Sequence, residues 1–241
     1  MLSEKPWRGE AVIQFCAGIF VCLCLGLTIG ALLQKAGVAG FKQPEDFGNV
    51  LVATLSFQGA TWVMIGFFLW LHHVNWRAAF GFRGPQLKDA LLLAVGFIVV
   101  VLPVVLLLQG ASIHLLEKFG WPVEDQAAVQ LLAGAKTWWM RGYLAVFAVV
   151  LAPVAEEFIF RGVLFPFIKQ LGWPRLAWLG VSALFALIHA NTATLVPLFV
   201  LALALTGLYE KTDNLLAPIT AHALFNGVNL VVLFWQNKAG Q

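Results

Sequence analysis

Apolar runs follow one another along nearly the whole chain and are separated only by short polar stretches, near 11–33, 47–71, 88–109, 142–170, 174–190, 194–209 and 214–235. Most are close to the roughly 20 residues that a helix needs to cross the hydrocarbon core of a bilayer. Within them the apolar positions are continuous and do not alternate, which predicts helices embedded in lipid or in other helices. The segment 110–141 breaks this pattern. Glu117, Lys118, Glu124 and Asp125 precede a short apolar patch closed by Trp138 and Trp139, as expected of an interfacial helix or a re-entrant lid. The expected fold is all-α, a polytopic transmembrane helical bundle of about seven to eight spans. No polar stretch is long enough for a separate soluble domain, so residues 1–241 are expected to form a single integral membrane domain.

Composition agrees: 61% of residues are hydrophobic, 11% are charged and the mean hydropathy is +0.85, far from the profile of a soluble domain. Lys5 and Arg8 precede the first run as basic residues precede a signal peptide, but the run exceeds the usual length of such a segment and reads as a retained span. The expected location is therefore an integral, multi-pass position in the cell or inner membrane if the source is prokaryotic, with membrane lipid as a partner. The net charge of +3 comes from residues dispersed over short loops. No basic stripe with interleaved aromatics is present, so no nucleic-acid partner is expected. Cys16, Cys22 and Cys24 share the first run, with no partner cysteine elsewhere for a disulfide or metal site. Gly26 and Gly30 form a small-residue pair at helix-packing spacing. Trp70, Trp76, Trp138, Trp139, Trp173 and Trp235 lie near span ends, where amphipathic rings favour the headgroup level.

Against this background three groups of polar residues stand out. Glu156, Glu157 and Arg161 lie inside the run 142–170. At about 2.5–3.5 kcal/mol per charge near the bilayer centre, an uncompensated trio would cost on the order of 7–10 kcal/mol, so a functional site is the default reading. Glu157 and Arg161 are four apart and share a helix face, while Glu156 points about a quarter turn away. Arg161 can then neutralise Glu157 and leave Glu156 free. The alternative is a buried polar clasp between helices. Pro153 is placed to loosen the helix just before the pair. Phe185 and His189 are also four apart, at the end of the fifth run, where an interfacial or capping histidine is the competing reading. His222 and Asn226 repeat the spacing in the last run, where polar glue between helices is the alternative. At 1.5 Å per residue, Glu156 and His189 both lie about 21–22 Å from the same membrane face, with His222 about 13 Å and Asn226 about 20 Å deep. The groups can therefore meet.

In order and spacing these residues resemble the CPBP group of intramembrane proteases, which contains the CAAX-processing endopeptidases of the ABI type. Glu156-Glu157-Phe158-Ile159-Phe160-Arg161 is similar to its EExxxR motif, Phe185 to His189 to its FxxxH motif, and His222 to Asn226 to its HxxxN motif. The resemblance covers about residues 142–230, the expected catalytic core. It implies hydrolysis of a peptide bond in a membrane-associated peptide or protein, with prenylated CAAX-type proteins among the substrates of some members. It further implies that Glu156 and His189 position and deprotonate the attacking water, that His222 and Asn226 hold the developing oxyanion, and that Glu157, Arg161 and Phe185 support them. That chemistry is sensible: a carboxylate in an apolar cavity is a better base near neutral pH, and donors aimed at the tetrahedral oxygen lower the barrier in a water-poor site.

Cofactor use is open at this stage. Glu156, His189 and His222 could form a zinc shell with one position left for water, yet the HExxH spacing is absent, and a base with an oxyanion hole needs no metal. Two other function classes compete. A proton-coupled transporter also buries Glu, Arg and His, but predicts internal repeats, which the chain lacks. A noncatalytic scaffold or self-immunity protein retaining the fold would tolerate loss of a motif member, and all of them are present.

Overall fold

The computed structural model describes residues 2–43, 46–82, 84–135 and 137–239, with the side chains of 84–86 and 236–239 excepted. Among the described residues the chain is helical, with no strand. Its helices are α1 (Gly9–Lys35), α2 (Phe47–His72), α3 (Trp76–Phe80), α4 (Gly84–Lys118), α5 (Ala127–Gly134), α6 (Trp138–Gln170), α7 (Pro174–Leu187), α8 (Thr192–Thr212) and α9 (Leu216–Ala239). Six of them, α1, α2, α4, α6, α8 and α9, are long and apolar enough to cross a membrane. The run expected at 174–190 instead gives α7, whose 14 residues reach only about 21 Å against a core of about 30 Å. The chain is a multi-pass integral membrane protein, with six long apolar helices and the shorter apolar α7 among the described residues.

The segment expected to be interfacial divides in two. Its first part simply prolongs α4 to Lys118, and after a loop the eight residues of α5 pack through Leu132 onto Val50, Met140 and Leu144, at the ends of α2 and α6. The loop before α5 touches the α7–α8 connection, because Asn191 Nδ2 donates to the Glu124 carbonyl at 2.8 Å.

Two groups of helices make up the bundle. α1 pairs with α2, and they approach closely where Gly26 faces Ser56 and Val52, so that a Cβ at Gly26 would collide with the Ser56 hydroxyl. α4 lies against α8 and α9, while α7 packs along α8 and against the end of α6. Lys169 of α6 and Glu210 of α8 form an ion pair at 2.6 Å that fastens these two ends together. Of the interfacial tryptophans, Trp70, Trp138, Trp173 and Trp235 are well exposed near helix ends. Trp76 is different. It turns inward and contacts Trp62, Phe80 and Phe158, forming an aromatic layer against α6.

The turn between α8 and α9 sets the level of the site. Leu215 N–H donates to the Phe80 carbonyl at 2.9 Å, and Leu215 and Ala217 are fully buried. α9 therefore begins inside the protein. Gly81 is required opposite this turn, since its φ is +74° and a Cβ there would strike the Asp213 carbonyl. Asp213, also in the left-handed region with φ 46°, ends α8 and accepts from Lys5 Nζ at 2.8 Å.

Partial burial alone would raise the pKa of Asp213, but hydrogen bonds from Lys5 and Ser3 and the Lys5 charge outweigh it and hold the carboxyl below its ordinary value. The folded protein thus gains stability from this carboxylate above the ordinary aspartate pKa and loses it as pH falls through the depressed one. Asp213→Asn keeps the left-handed turn tolerable and removes only the charge. Because Asp213 is a third exposed, the expected loss is on the order of 1 kcal/mol. Thermal unfolding in detergent should separate variant from wild type near pH 7 and bring them together in acid.

Candidate functional site

α6 carries the site because it is not a uniform α-helix. Two π-helical turns, Phe147–Leu151 and Phe158–Leu164, flank the α-helical stretch Ala152–Glu157 that ends in the glutamate pair. Such turns are rare and are frequently found at functional sites. Here prolines account for part of the local geometry. Ala152 N–H reaches back five residues to the Phe147 carbonyl, so the next carbonyl in that register, Ala148, faces Pro153, which has no N–H. Asn226 supplies the missing donor, its Nδ2 lying 2.8 Å from the Ala148 oxygen.

The charged residues form one connected array. Arg161 Nη1 donates to Glu157 Oε1 at 2.9 Å, and both side chains are fully buried. The same oxygen accepts from His222 Nδ1 at 2.9 Å. Since a carboxylate only accepts here, Nδ1 bears the proton and Nε2 is directed elsewhere. That nitrogen lies 3.8 Å from Glu156 Oε2. The distance is too long for a direct hydrogen bond, but an oxygen lying off the line could sit about 2.8 Å from each. Glu156 is 13% exposed whereas Glu157 is not exposed at all. The two neighbours thus occupy different environments: one is locked in an ion pair, and the other is free at the edge of accessible space.

The remainder of the Arg161 fork is also satisfied. Nη2 donates to the Ala202 carbonyl at 3.1 Å, and Nε donates to Thr206 Oγ1 at 3.4 Å, both on α8. The guanidinium lies 4.7 Å from the centre of the Phe185 ring. Phe185 is fully buried, and its ring also packs against His189 at 4.9 Å and His222 at 5.6 Å between centroids. One aromatic ring therefore joins all three motifs.

His189 follows the end of α7 and is half-buried. Its Nδ1 lies 2.7 Å from the Phe185 carbonyl, an acceptor, so this nitrogen holds the proton and Nε2 is left as a base. Ala190 comes next with φ 47°, a left-handed conformation that alanine rarely adopts. This turn brings Asn191 into place to cap α8, its Oδ1 accepting from Thr194 N–H at 3.0 Å.

The structure therefore brings Glu156, Glu157, Arg161, Phe185, His189 and His222 together. Asn226 lies one turn beyond His222, and among the described residues its side chain bonds to Ala148 and to no other motif residue. The unequal depths expected for His222 and Glu156 are resolved by the buried start of α9. Sequence reasoning did not include Thr206 and Ala202, the partners of Arg161 on α8. A threonine in an apolar helix is too common to be a signal, and a backbone carbonyl leaves none in side-chain chemistry. Among the described residues no three metal-ligating side chains are arranged to hold a metal ion, and the Nδ1 that His222 gives to Glu157 leaves its Nε2 uncommitted.

The family described as type II CAAX prenyl endopeptidase Rce1-like matches residues 137–228, the part of the chain that contains all three motifs. Neither a curated protein nor a solved structure matches the chain.

Removing one member of a buried ion pair strands the other charge at a cost of roughly 3–5 kcal/mol. Arg161→Met should therefore unfold in detergent many degrees below the wild type. Arg161→Lys should recover little of this, because a lysine has no planar fork to serve Glu157, Ala202 and Thr206 together. Thermal unfolding of the two variants checks both expectations.

Proposed function

We propose that this chain, a multi-pass membrane protein whose residues 137–228 match the family described as type II CAAX prenyl endopeptidase Rce1-like, hydrolyses a peptide bond within the membrane using Glu156 as its base. The observation that carries this reading is the array in which Arg161 and His222 both hold Glu157 while Glu156, with no hydrogen bond among the described residues, lies 3.8 Å from His222 Nε2. A purely structural clasp would leave no reason for a second, unpaired carboxylate at the same level.

In this mechanism Glu156 and His189 orient a water molecule. As its oxygen forms a bond to the scissile carbonyl carbon, its proton passes to Glu156. The carbonyl π electrons move onto oxygen, which is stabilised by His222 carrying a second proton on Nε2 besides the one Nδ1 gives to Glu157, and by the Asn226 N–H not used by Ala148. Collapse of the tetrahedral intermediate breaks the C–N bond, and Glu156 returns its proton to the leaving amine. The products are a carboxylate and a protonated amine, which together hold both protons of the water. Glu157 keeps His222 oriented, as a carboxylate orients the histidine in other hydrolytic sites, and Arg161 fixes Glu157. All these groups belong to the chain, and no step requires a metal.

The substrate class follows from location. A site on α6, about 21 Å along the helix from Gln170, is reached by segments that enter the membrane. The family description names prenylated CAAX termini, whose lipid would bring a peptide to this level, and a membrane-associated peptide or protein is the substrate we assign.

Glu156→Gln preserves size and removes the base. Comparison of newly formed peptide termini by mass spectrometry, in membranes expressing wild type or variant at matched levels, should show a set of termini that disappears with the variant. Identical sets with both proteins folded would reject proteolysis and leave a noncatalytic scaffold or a transporter. On a substrate identified in this way, His222→Ala combined with Asn226→Ala should reduce kcat by at least about 100-fold while KM changes little, as expected for groups that act in the transition state.

A further inference from the structure

Pro166 lies two residues past the second π turn of α6, as Pro153 lies two past the first. Phe165 N–H still reaches back five residues to the Phe160 carbonyl, and the N–H that would serve the Gly162 carbonyl on return to the α-helical register is the one Pro166 lacks. The donor found there comes from far away in the chain: Trp7 Nε1 donates to the Gly162 oxygen at 3.0 Å, in a buried bond. Trp7 is only 7% exposed and packs edge-on against Phe68 and His72, with ring centroids at 4.9 and 5.2 Å.

The segment before α1 is fastened on both sides of this tryptophan. Lys5 is held by Asp213, and its carbonyl accepts from Gln170 Nε2 at 2.9 Å. Arg8 N–H donates to His72 Nε2 at 3.0 Å, and Arg8 Nη2 donates to the Leu71 carbonyl at 2.7 Å. On its other side Gly162 has no slack, since a Cβ would lie 3.0 Å from the Phe80 ring and 3.4 Å from Leu215. Gly162 directly follows Arg161, whose guanidinium holds Glu157 and, through it, His222.

We propose that Trp7, which lies outside the motif-bearing segment, is a positioning residue for the intramembrane site: its indole N–H fixes the π turn of Arg161 and thereby the Glu157–His222 pair. The inference rests on the proteolytic reading for its effect on turnover, and on geometry alone for the coupling to His222. Asn226 and Trp7 are counterparts, each supplying a side-chain N–H to a backbone carbonyl of α6, at Ala148 and Gly162 on either side of Glu156 and Glu157.

The test uses the full chain with two replacements at position 7. Trp7→Phe keeps an aromatic ring, and the benzothiophene analogue of tryptophan keeps the bicyclic shape while lacking the N–H. Two readouts are followed, the NMR signal of the His222 Nδ1 proton, assigned by its loss in His222→Ala, and kcat and KM on a peptide identified by the terminus comparison. Both replacements should shift or broaden the proton signal and reduce kcat about tenfold, since small misplacements in a catalytic array are costly, with KM within about twofold and the unfolding temperature of the analogue near that of the wild type. If Trp7→Phe does not fold, the analogue decides. An unchanged proton signal, or an altered signal with unchanged kcat, overturns the proposal, as does a rise in KM alone. Should the wild type cleave nothing, proteolysis fails, and the proton signal still decides the coupling.

Discussion

One buried carboxylate oxygen organises the centre of this protein. Glu157 Oε1 accepts from Arg161 on its own helix and from His222 on α9, while Arg161 reaches the Ala202 carbonyl and Thr206 on α8. Three helices are thereby joined through groups that would be costly to bury singly. Because the guanidinium, the carboxylate and the imidazole all lie at one level, the helices have little freedom to slide. The ring of Phe185 fills the space between them and extends the same level to His189 on the short hairpin of α7 and α8.

A charged array of this kind needs a helix that can present side chains on more than one face over a short distance. α6 does so by changing its winding twice, before and after Ala152–Glu157. Prolines at 153 and 166 remove N–H groups, and the side chains of Asn226 and Trp7 donate to the nearby Ala148 and Gly162 carbonyls. Backbone groups cannot be left unpaired in a membrane interior, so each departure from α-helical geometry requires a specific partner from another part of the chain. The N-terminal segment 2–8 and the last helix become part of the site's support for this reason.

The environments of Glu156 and Glu157 illustrate how adjacent residues of one type acquire separate roles. About 100° of helical rotation directs one toward Arg161 and His222 and the other toward accessible space. The first is held by two donors, and the second makes no hydrogen bond among the described residues. His222 lies between them, with its Nδ1 committed to one and its Nε2 facing the other.

The membrane class, the helical bundle and the positions of the long helices were legible in the amino-acid order, because hydropathy over about 20 residues is a local property that the bilayer reads directly. The pairing of Glu157 with Arg161 was legible too, since four residues in a helix bring side chains onto one face. The order and spacing of the three motifs pointed to the residues that converge. What tertiary structure alone decided depends on contacts between distant segments: that α7 is short and α9 begins inside the protein, that His222 hydrogen-bonds to Glu157 and faces Glu156, that Ala202 and Thr206 complete the cage of Arg161, and that Trp7 reaches Gly162. Local periodicity determines which face of a helix is polar, but the atom that satisfies a buried group is chosen by three-dimensional packing, and a backbone carbonyl or an indole N–H far away in the chain carries no sign of that choice in the order of residues.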